Sequence, residues 1–359
     1  MVKRGSTLET MVELLEEFRN KKVFITGHTG FKGAWLSYLL DKYGAIVKGY
    51  ALAPKTEPSL YEKLEFSSRF LSEISDILDY DSFEKAITQF QPDYIFHLAA
   101  QPLVIDSYED PKATFSTNVL GTLNLLEIVR KNKIKSIVLV ITTDKVYENL
   151  ELNHAFNEND KLGGHDPYSA SKAATEILTH SYRFSFFQGV NTRIATARAG
   201  NVIGGGDWSK DRLIPDIIRS FVNKEKLVIR NPQATRPWQH VLEPLNGYLK
   251  LVLNIEKDAS LQGAWNFGPD KKDVASVKDI VDATHKLEFS TEVKYVKPKY
   301  NEAKYLQLDN TKAKQLDWIP QWSAQKSIDL TLQWYKGFYE GKKAKDLIEN
   351  DLKLYGKDE

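Results

Sequence analysis

Short apolar runs alternate along the chain with stretches in which apolar residues recur every three or four positions. The first run covers 22–26, passes into a glycine-rich loop and is followed at 31–43 by a helical pattern. Apolar runs bounded by turn residues predict buried strands, and a period near 3.6 predicts helices. The alternation recurs, with strands predicted at 46–52, 94–99, 136–142 and 192–197 and helices at 82–90, 118–131 and 168–187. This order favours an α/β fold with a Rossmann-type, doubly wound parallel sheet.

The rhythm changes after Gly200. A loop at 204–207 precedes a helical pattern at 215–222 and a short strand at 227–229, and a further helix and strand are predicted at 241–254 and 264–267. Because a helix and a strand return after the interruption, we expect two separate stretches to form the sheet domain. The predicted division is an N-terminal helical extension at 1–20, a Rossmann domain at 21–200 and 238–268, and a smaller, mixed α/β C-terminal substrate lobe at 201–237 and 269–359.

Composition narrows the chemistry. The 359 residues include no cysteine, which excludes disulfides, thiolate metal sites and cysteine nucleophiles. The formal net charge is +1 with acidic and basic residues interspersed, so no nucleic-acid partner is expected. No apolar run reaches membrane-spanning length, and we expect a cytoplasmic protein without membrane association and without a metal site.

The loop after the first strand has the spacing of a dinucleotide cradle. Glycines three residues apart allow a tight turn, close approach of backbone N–H groups to a pyrophosphate, and close packing of helix on strand. The following helix N-terminus favours negative charge. A glycine turn without a ligand is the alternative interpretation. The candidate residues for binding a nicotinamide dinucleotide are Gly27, His28, Thr29, Gly30, Phe31, Lys32 and Gly33.

The positions expected to contact the ribose and the adenine are less distinctive. Tyr50, Ala51 and Leu52 stand where an acidic residue would end the second strand, so the sequence here does not choose between NAD and NADP. Asp76 and Ile77, after the next predicted strand, are candidates for the adenine. The alternative for Asp76 is an ordinary turn aspartate.

Tyr168 and Lys172 open a predicted helix and share one face of it. A lysine ammonium beside a phenol favours the phenolate, so we expect Lys172 to lower the pKa of Tyr168 toward neutrality and the phenolate to accept a hydroxyl proton. Thr143, just after the strand predicted at 136–142, would hydrogen-bond the same hydroxyl. The alternative is an ordinary surface pair, which is common for this spacing.

With these motifs the chain resembles the extended short-chain dehydrogenase/reductase superfamily, whose members mostly epimerise, dehydrate or reduce nucleotide-activated sugars. The matching positions are the glycine loop, His97-Leu98-Ala99-Ala100, Asn118-x-x-Gly121-Thr122, Thr143 with Tyr168 and Lys172, and Arg236-Pro237-Trp238-x-His240-Val241. The resemblance implies NAD as the cofactor, with further contacts from Leu98, Ala99, Ala100, Asn118, Thr142, Tyr168 and Lys172.

Asp144 and Lys145 directly follow Thr143, at the place where sugar 4,6-dehydratases carry an acid and a base, typically Asp-Glu. An Asp-Lys pair is similar to the CDP-glucose 4,6-dehydratase family, and so are the blocks 100–104, 200–208 and 236–241. That family implies CDP-glucose as substrate, a 4-keto-6-deoxy product for O-antigen-type polysaccharides, and NAD that accepts and returns one hydride. Asp144 would be the acid, and Lys145 would be the base or would only orient Asp144.

Other functions fit part of this pattern. The nearest are a GDP-, UDP- or dTDP-sugar dehydratase and a 4-epimerase of the same superfamily. Net reduction by NADPH and a non-catalytic dinucleotide sensor are more distant alternatives. The intact set of Thr143, Tyr168 and Lys172 speaks against the sensor, which has no need of it.

A sugar pyrophosphate requires cationic and N–H donors. The candidate substrate-binding residues are Gln101, Asn201, Arg212, Arg236 and Tyr305. Arg193 and Arg198 flank a buried strand and are expected to form structural ion pairs instead. His97 and His240 are expected to be core histidines, with a catalytic role as the alternative.

The helices predicted at 118–131 and 168–187 carry apolar faces away from the candidate catalytic residues. The resemblance implies that these helices pair across a homodimer as a four-helix interface. The alternative is packing within one subunit.

Overall fold

A central sheet of seven parallel strands organises the residues that the structure, a computed structural model, describes, namely 10–150, 154–286, 292–296 and 305–356. In chain order the strands are β1 (Lys22–Thr26), β2 (Ile46–Ala51), β3 (Leu71–Ile74), β4 (Tyr94–His97), β5 (Ile137–Ile141), β6 (Arg193–Arg198), β7 (Val202–Ile203), β8 (Leu227–Ile229), β9 (Thr235–Arg236), β10 (Gln239–His240), β11 (Gly263–Asn266), β12 (Ala275–Ser276) and β13 (Val293–Tyr295). The order across the sheet is β11-β6-β5-β4-β1-β2-β3, and all neighbours are parallel. Outside it, β7 pairs with β10, β8 with β13 and β9 with β12.

Helices connect these strands. In chain order they are α1 (Met11–Glu16), α2 (Phe31–Lys42), α3 (Leu60–Lys63), α4 (Tyr80–Phe90), α5 (Val104–Glu109), α6 (Pro111–Phe115), α7 (Gly121–Lys131), α8 (Pro167–Phe186), α9 (Leu213–Asn223), α10 (Leu242–Lys257), α11 (Val277–Lys286), α12 (Ala324–Tyr339) and α13 (Ala344–Leu354). None of the described helices is both long enough and apolar enough to span a membrane.

The sheet is buried on both faces. Along β1, Val23 and Ile25 belong to a core shared with α2 and α10, whereas Phe24 points to the opposite core with α4 and α7. Successive side chains of a strand point to opposite faces, and a parallel sheet covered by helices on both sides needs apolar residues on each. This is why its strands read as continuous apolar runs, and the predicted Rossmann-type sheet is confirmed.

The helix predicted at 118–131 begins differently from the prediction. Ser116–Leu120 forms a π-helical turn that leads into α7. The hydroxyls of Thr122 and Thr175 both donate to the carbonyl of Asn118, at 2.8 Å and 2.9 Å. In this π-helical turn, the Asn118 carbonyl is thus hydrogen-bonded by two threonine side chains.

The last two described helices pack on earlier parts of the chain, in the sheet domain and in the predicted lobe. On α12, Tyr335 donates to the carbonyl of Asp207 at 2.5 Å. On α13, Glu349 accepts a hydrogen bond from Tyr38 of α2 and forms an ion pair with Lys42. The helices α12 and α13 therefore contact the Rossmann core as well as the predicted lobe, and the domain boundaries stay a prediction.

Candidate active site

The strands β1, β4, β5 and β6 end at one edge of the sheet, where ligands of open α/β folds bind. Leu98, Ala99 and Ala100 follow β4 there, and the Ala99 N–H donates to the Thr26 hydroxyl at 3.1 Å. Gly27 lies so close that a Cβ on it would be 2.7 Å from the Ala99 nitrogen, and its φ is +74°. Position 27 therefore requires glycine, and the loop packs directly against the end of β4.

The residues of the loop fit the pyrophosphate of a dinucleotide. Gly30 caps the N-terminus of α2 without a side-chain hydrogen bond, and a Cβ on it would meet only the Gly27 carbonyl oxygen, at 3.4 Å. Phe31, Lys32 and Gly33 form the first turn of α2, whose unpaired N–H groups carry the positive end of the helix dipole. An anion can thus approach the backbone where a side chain would otherwise stand.

Two side chains of the loop turn into the protein. His28 is buried, its Nε2 lies 2.8 Å from the Ser72 hydroxyl, and burial lowers the pKa of His28 to about 4. Thr29 donates its hydroxyl to the Leu52 carbonyl at 2.8 Å. Any contact of these two residues with a dinucleotide would therefore come from their backbone.

The candidates for the adenine lie further along the same edge. One oxygen of Asp76 accepts the N–H of Leu78 at 3.0 Å, which is the geometry of a turn aspartate. Ile77 is buried, and its side chain lies where a Cβ on Gly121 would be. The role of Asp76 and Ile77 toward the adenine stays a prediction.

Three candidate polar side chains already have protein partners. Asn118 accepts the N–H of Gln101 at 2.9 Å and donates to the Ser171 hydroxyl at 2.8 Å. The Gln101 amide is bonded within its own loop, to Leu103 and Thr114. Thr142 donates to Glu176 at 2.5 Å. The side chains of Gln101, Asn118 and Thr142 therefore brace the walls of the crevice.

Thr143, Asp144 and Tyr168 lie together after β5 and at the start of α8. The Thr143 hydroxyl donates to Asp144 Oδ1 at 2.9 Å, and its contact with the Tyr168 phenol opposes the rise in the pKa of Tyr168. Asp166 caps α8 by accepting the Ser169 N–H, with Pro167 at the first helical position, which fixes where the helix starts. A sugar hydroxyl placed here would meet a threonine, a phenol and a carboxyl.

The expected effect of Lys172 on Tyr168 is wrong for this structure. Burial raises the pKa of Tyr168 to about 12, and Lys172 donates to the Ile141 carbonyl at 3.1 Å. Burial also lowers the pKa of Lys172 to about 8. The desolvation of the phenol outweighs the effects of Thr143 and Arg212, which lower its pKa.

Asp144 is buried against a glycine. A Cβ on Gly200 would lie 1.8 Å from Asp144 Oδ2, and Asn201 donates its amide to the same oxygen at 3.4 Å. Burial raises the pKa of Asp144, and the nearby charges of Lys145 and Arg236 partly oppose the rise. The half-buried Lys145 thus sits beside a carboxyl that tends to hold its proton.

Several cations lie near Asp144 or Tyr168. Arg212 pairs with Asp207 at 2.8 Å and is close enough to stabilise a charge on Tyr168, and Arg236 faces Asp144. Lys32, at the start of α2, was predicted only as a dinucleotide contact, and the structure also places its charge near Asp144. Burial, together with the charges of Arg212 and Lys172, lowers the pKa of Lys32 to about 7.

Tyr305 lies apart from this group. Its hydroxyl donates to Gln307 at 2.5 Å, and its carbonyl accepts the Asn149 amide at 2.8 Å. The structure gives it no contact with Tyr168 or Asp144 among the described residues. Within 10–150, 154–286, 292–296 and 305–356, no cluster of three or more histidine or acidic side chains could hold a metal ion.

The remaining candidates are structural. Arg198 forms a buried ion pair with Glu176 at 2.9 Å, as expected. The expected ion pair of Arg193 is wrong, because Arg193 instead donates to the Ile255 and Glu256 carbonyls at the end of α10, where a helix leaves carbonyls unpaired. His97 is buried with both ring nitrogens bonded, to Thr26 at 2.8 Å and Thr122 at 3.0 Å.

The geometry can be compared with known proteins. A family model described as GDP-mannose 4,6 dehydratase matches residues 24–331. The chain belongs to this family. It is 46% identical over 335 residues to a CDP-glucose 4,6-dehydratase of Salmonella typhimurium (strain LT2), a match that covers 90% of this chain and 93% of that protein. The resemblance to nucleotide-sugar dehydratases is thereby confirmed.

Solved structures of relatives share the fold. An epimerase from Methanothermobacter thermautotrophicus superposes with a TM-score of 0.81 at 24% identity, covering 95% of this chain and 98% of that one. A UDP-glucuronic acid 4-epimerase from Bacillus cereus, in complex with UDP-glucuronic acid and NAD, has a TM-score of 0.77 at 24% identity, covering 89% of this chain and all of that one. At this identity the likeness concerns the fold alone.

Proposed function

We propose that the protein is a nucleotide-sugar 4,6-dehydratase that converts CDP-glucose to CDP-4-dehydro-6-deoxy-glucose and water. The observation that carries this proposal is the buried Asp144 carboxyl, held next to Thr143 and Tyr168. An epimerase needs the tyrosine and the cofactor but has no use for a protonated acid at this place. The 46% identity to the Salmonella CDP-glucose enzyme supports the choice of nucleotide.

The proposed cofactor is NAD, held by the backbone of the glycine loop and the N-terminus of α2. NAD bound there would supply a hydride acceptor for sugar C4 and a hydride donor for C6, so that no net oxidation would occur. Leu98, Ala99, Ala100, Tyr168 and Lys172 are the further residues that would hold it.

The first proton transfer falls to Tyr168. In its phenolate form the residue takes the proton of the sugar O4 hydroxyl while Thr143 holds that hydroxyl in place. Because burial raises the pKa of Tyr168 to about 12, the phenol needs nearby positive charge to act as a base. Arg212 supplies part of that charge, since it already lowers the pKa of Tyr168 in this structure.

The elimination of water falls to Asp144 and Lys145. The C4 ketone acidifies the C5 hydrogen, a base removes that proton, and the C6 hydroxyl leaves as water with a proton from an acid. Asp144 suits the acid because burial raises its pKa. Lys145 lies in the next position, where it serves as the C5 base or orients Asp144.

The experiment that tests the proposal offers one substrate at a time. The protein, loaded with NAD, is incubated with CDP-, GDP-, UDP- and dTDP-glucose, and products are analysed by mass spectrometry. We expect the loss of one water from CDP-glucose, without net formation of NADH. Steady consumption of NADPH, or no product from any of the four sugars, would refute the proposal.

Solvent deuterium distinguishes the two roles of Lys145. If Lys145 is the base, Lys145→Met abolishes deuterium exchange at C5 of the 4-keto sugar. If Lys145 only orients Asp144, the exchange continues while the loss of water slows. The Lys161→Met variant, which alters an exposed lysine beside Glu148, is the matched control and leaves both steps unchanged.

We also propose a homodimer formed by the π-helical turn with α7 and by α8. Ile177 and Phe184 of α8 are 59% and 56% exposed, and Leu120 at the start of α7 is 50% exposed. Four such helices would bury these side chains together. We expect wild-type protein to elute at twice the monomer mass in light scattering, and Ile177→Glu with Phe184→Glu to elute at the monomer mass. A monomeric wild-type protein would contradict the proposal.

A further inference from the structure

The C-terminal helix α13 contacts a segment that borders the active site. That segment runs from Arg236 in β9 through His240 in β10 to Glu243 in α10. Asp351 and Tyr355, at and just after the end of α13, are both buried against it. The candidate active-site chemistry described above uses neither residue, although both are buried polar groups and polar groups are rarely buried without a function or a partner.

The tautomer of His240 follows from its neighbours. The N–H of Leu242 donates to His240 Nδ1 at 3.3 Å, so Nδ1 is the unprotonated ring nitrogen. The proton is then on Nε2, which lies 3.6 Å from Asp351 Oδ2. The rings of Trp35 and Trp322 contact the imidazole edge-on, with centroids at 5.7 Å and 4.9 Å. His240 is therefore fixed in orientation, and its Nε2 faces Asp351 Oδ2 beyond hydrogen-bond distance. Among the described residues, neither of these two buried atoms has a hydrogen-bond partner.

A second contact joins α13 to the same segment. Tyr355 donates its hydroxyl to Glu243 Oε2 at 2.8 Å. The other oxygen of Glu243 accepts the N–H groups of Gln321 and Trp322, at 3.0 Å and 2.8 Å. The loop before α12 and the residue after α13 thus converge on one buried carboxyl.

The contacts continue from His240 to the proposed acid. β10 pairs with β7, with His240 opposite Ile203, and the Gln239 N–H donates to the Asn201 carbonyl at 3.2 Å. Asn201 in turn donates to Asp144 at 3.4 Å. Arg236, four residues before His240, faces Asp144 as well. A shift of β10 would therefore move both Asn201 and Arg236 relative to Asp144.

We propose that Asp351 is a positioning residue of the substrate site: its buried carboxyl, which faces His240 Nε2 at 3.6 Å, holds the β7–β10 pair in place, and with it Asn201 and Arg236. The last helix of the chain then belongs to the functional machinery. This inference rests on the proposed function, because it assigns Asn201 and Arg236 to the nucleotide sugar. It predicts that loss of the carboxyl weakens substrate binding and leaves the bound dinucleotide undisturbed.

The test compares two substitutions of similar size in the full-length protein loaded with NAD. Asp351→Leu removes the carboxyl, and Asp351→Asn keeps a polar oxygen facing His240 Nε2. We expect Asp351→Leu to raise the KM for the sugar about tenfold, the size of one lost polar interaction, with kcat within about twofold of wild type. Asp351→Asn should recover most of the wild-type KM. NAD affinity, from quenching of tryptophan fluorescence, should be unchanged in both.

Control variants distinguish a positioning role of Asp351 from general destabilisation of the protein. Asp346→Asn alters an exposed carboxylate of the same helix and should match wild type. If Asp351→Leu fails to fold, Tyr355→Phe tests the second contact, and KM should rise while kcat holds. An unchanged KM overturns the inference, and so does a parallel loss of KM, kcat and NAD affinity with a lower Tm, which indicates general destabilisation. A wild-type protein inactive on all four sugars instead refutes the proposed function.

Discussion

The two walls of the active site are held in place by different kinds of contact. The sheet-side wall consists of Thr143, Asp144 and Tyr168, which follow β5 and begin α8 and contact one another. The substrate-side wall, with Asn201 and Arg236, lies on two-residue strands and loops. Its stability depends on distant residues. Trp35 bonds to the Gly205 carbonyl across 170 residues of chain, and Tyr335 bonds to Asp207 across 128.

This difference suits the two walls to different tasks in the proposed function, namely proton transfer on the sheet side and substrate recognition on the other side. Proton transfer requires groups at the end of a rigid sheet, where backbone hydrogen bonds already fix the geometry. In the proposed function, the nucleotide sugar is recognised by loops that distant helices hold in place. Substitutions on the sheet side should change kcat, whereas those on the substrate side should change KM.

The largest effect is expected at the proposed acid. Asp144→Asn preserves the shape of the side chain but removes the proton donor, so turnover should fall about 10²- to 10⁴-fold, the usual contribution of a general acid. In a single turnover, absorbance of the reduced nicotinamide should still appear, because oxidation at C4 precedes the loss of water. Tyr168→Phe is the control in which that absorbance is lost too. An Asp144→Asn variant with full turnover would break the comparison.

The next largest effect concerns stability. Glu176→Gln leaves the Arg198 guanidinium buried without its partner and weakens the bonds to Thr142 and Thr196 behind the sheet-side wall. We expect a loss of about 3–5 kcal/mol in the free energy of unfolding, measured in urea. Asp282→Asn breaks the exposed pair with Lys278 and should cost less than about 1 kcal/mol. Equal losses for the two variants would show that the buried pair is dispensable.

On the substrate side, Arg236→Gln tests recognition. If Arg236 binds the pyrophosphate, the KM for the sugar should rise about 10- to 100-fold, as expected for a lost charged hydrogen bond. The value of kcat should change little. Arg230→Gln removes a neighbouring arginine that pairs with Asp211 and serves as the matched control. A fall in kcat at constant KM would place Arg236 on the sheet side instead.

The smallest effect is a pH dependence from His97, which binds Thr26 behind the glycine loop. Burial lowers the pKa of His97 to about 3. Below pH of about 6.5, His97 binds a proton in the unfolded chain but not in the folded protein. The free energy of unfolding therefore decreases by about 1.4 kcal/mol for each pH unit that the pH is lowered. His97→Gln should be less stable at neutral pH and show a shallower decline between pH of about 6.5 and 5. Identical slopes in urea unfolding would contradict this.

The sheet-side wall could be predicted from the sequence, and the reason is local. The apolar run of β5 and the Tyr168-to-Lys172 spacing fix which residues lie at the sheet edge, and the structure places Thr143 and Asp144 beside Tyr168. The pKa of Tyr168 could not be predicted, because it depends on how completely the phenol is buried. A sequence pattern indicates which residues lie next to each other, but it does not indicate how much water is excluded from around them.

The substrate-side wall was less predictable because its contacts are non-local. Asn201 and Arg236 were candidates from the resemblance, but no periodicity links His240 to Asp351 or Lys32 to Asp144. His28 shows that the orientation of a single side chain is also hard to predict from sequence. Its place in the glycine loop suggested a ligand contact, whereas the ring fills the space where a Cβ on Gly49 would be.

The place of β11 in the sheet has a consequence for synthesis. β11 covers β6, yet Gly263–Asn266 emerges from the ribosome only after the whole excursion through α9 and α10. Until then a nascent chain exposes an uncovered β6 edge, the kind of backbone that pairs with other chains. The sheet therefore cannot be completed while the N-terminal part of the chain is still being synthesised. We expect the yield of native protein to depend on the speed of translation across 200–262 and on chaperone binding to the exposed β6 edge.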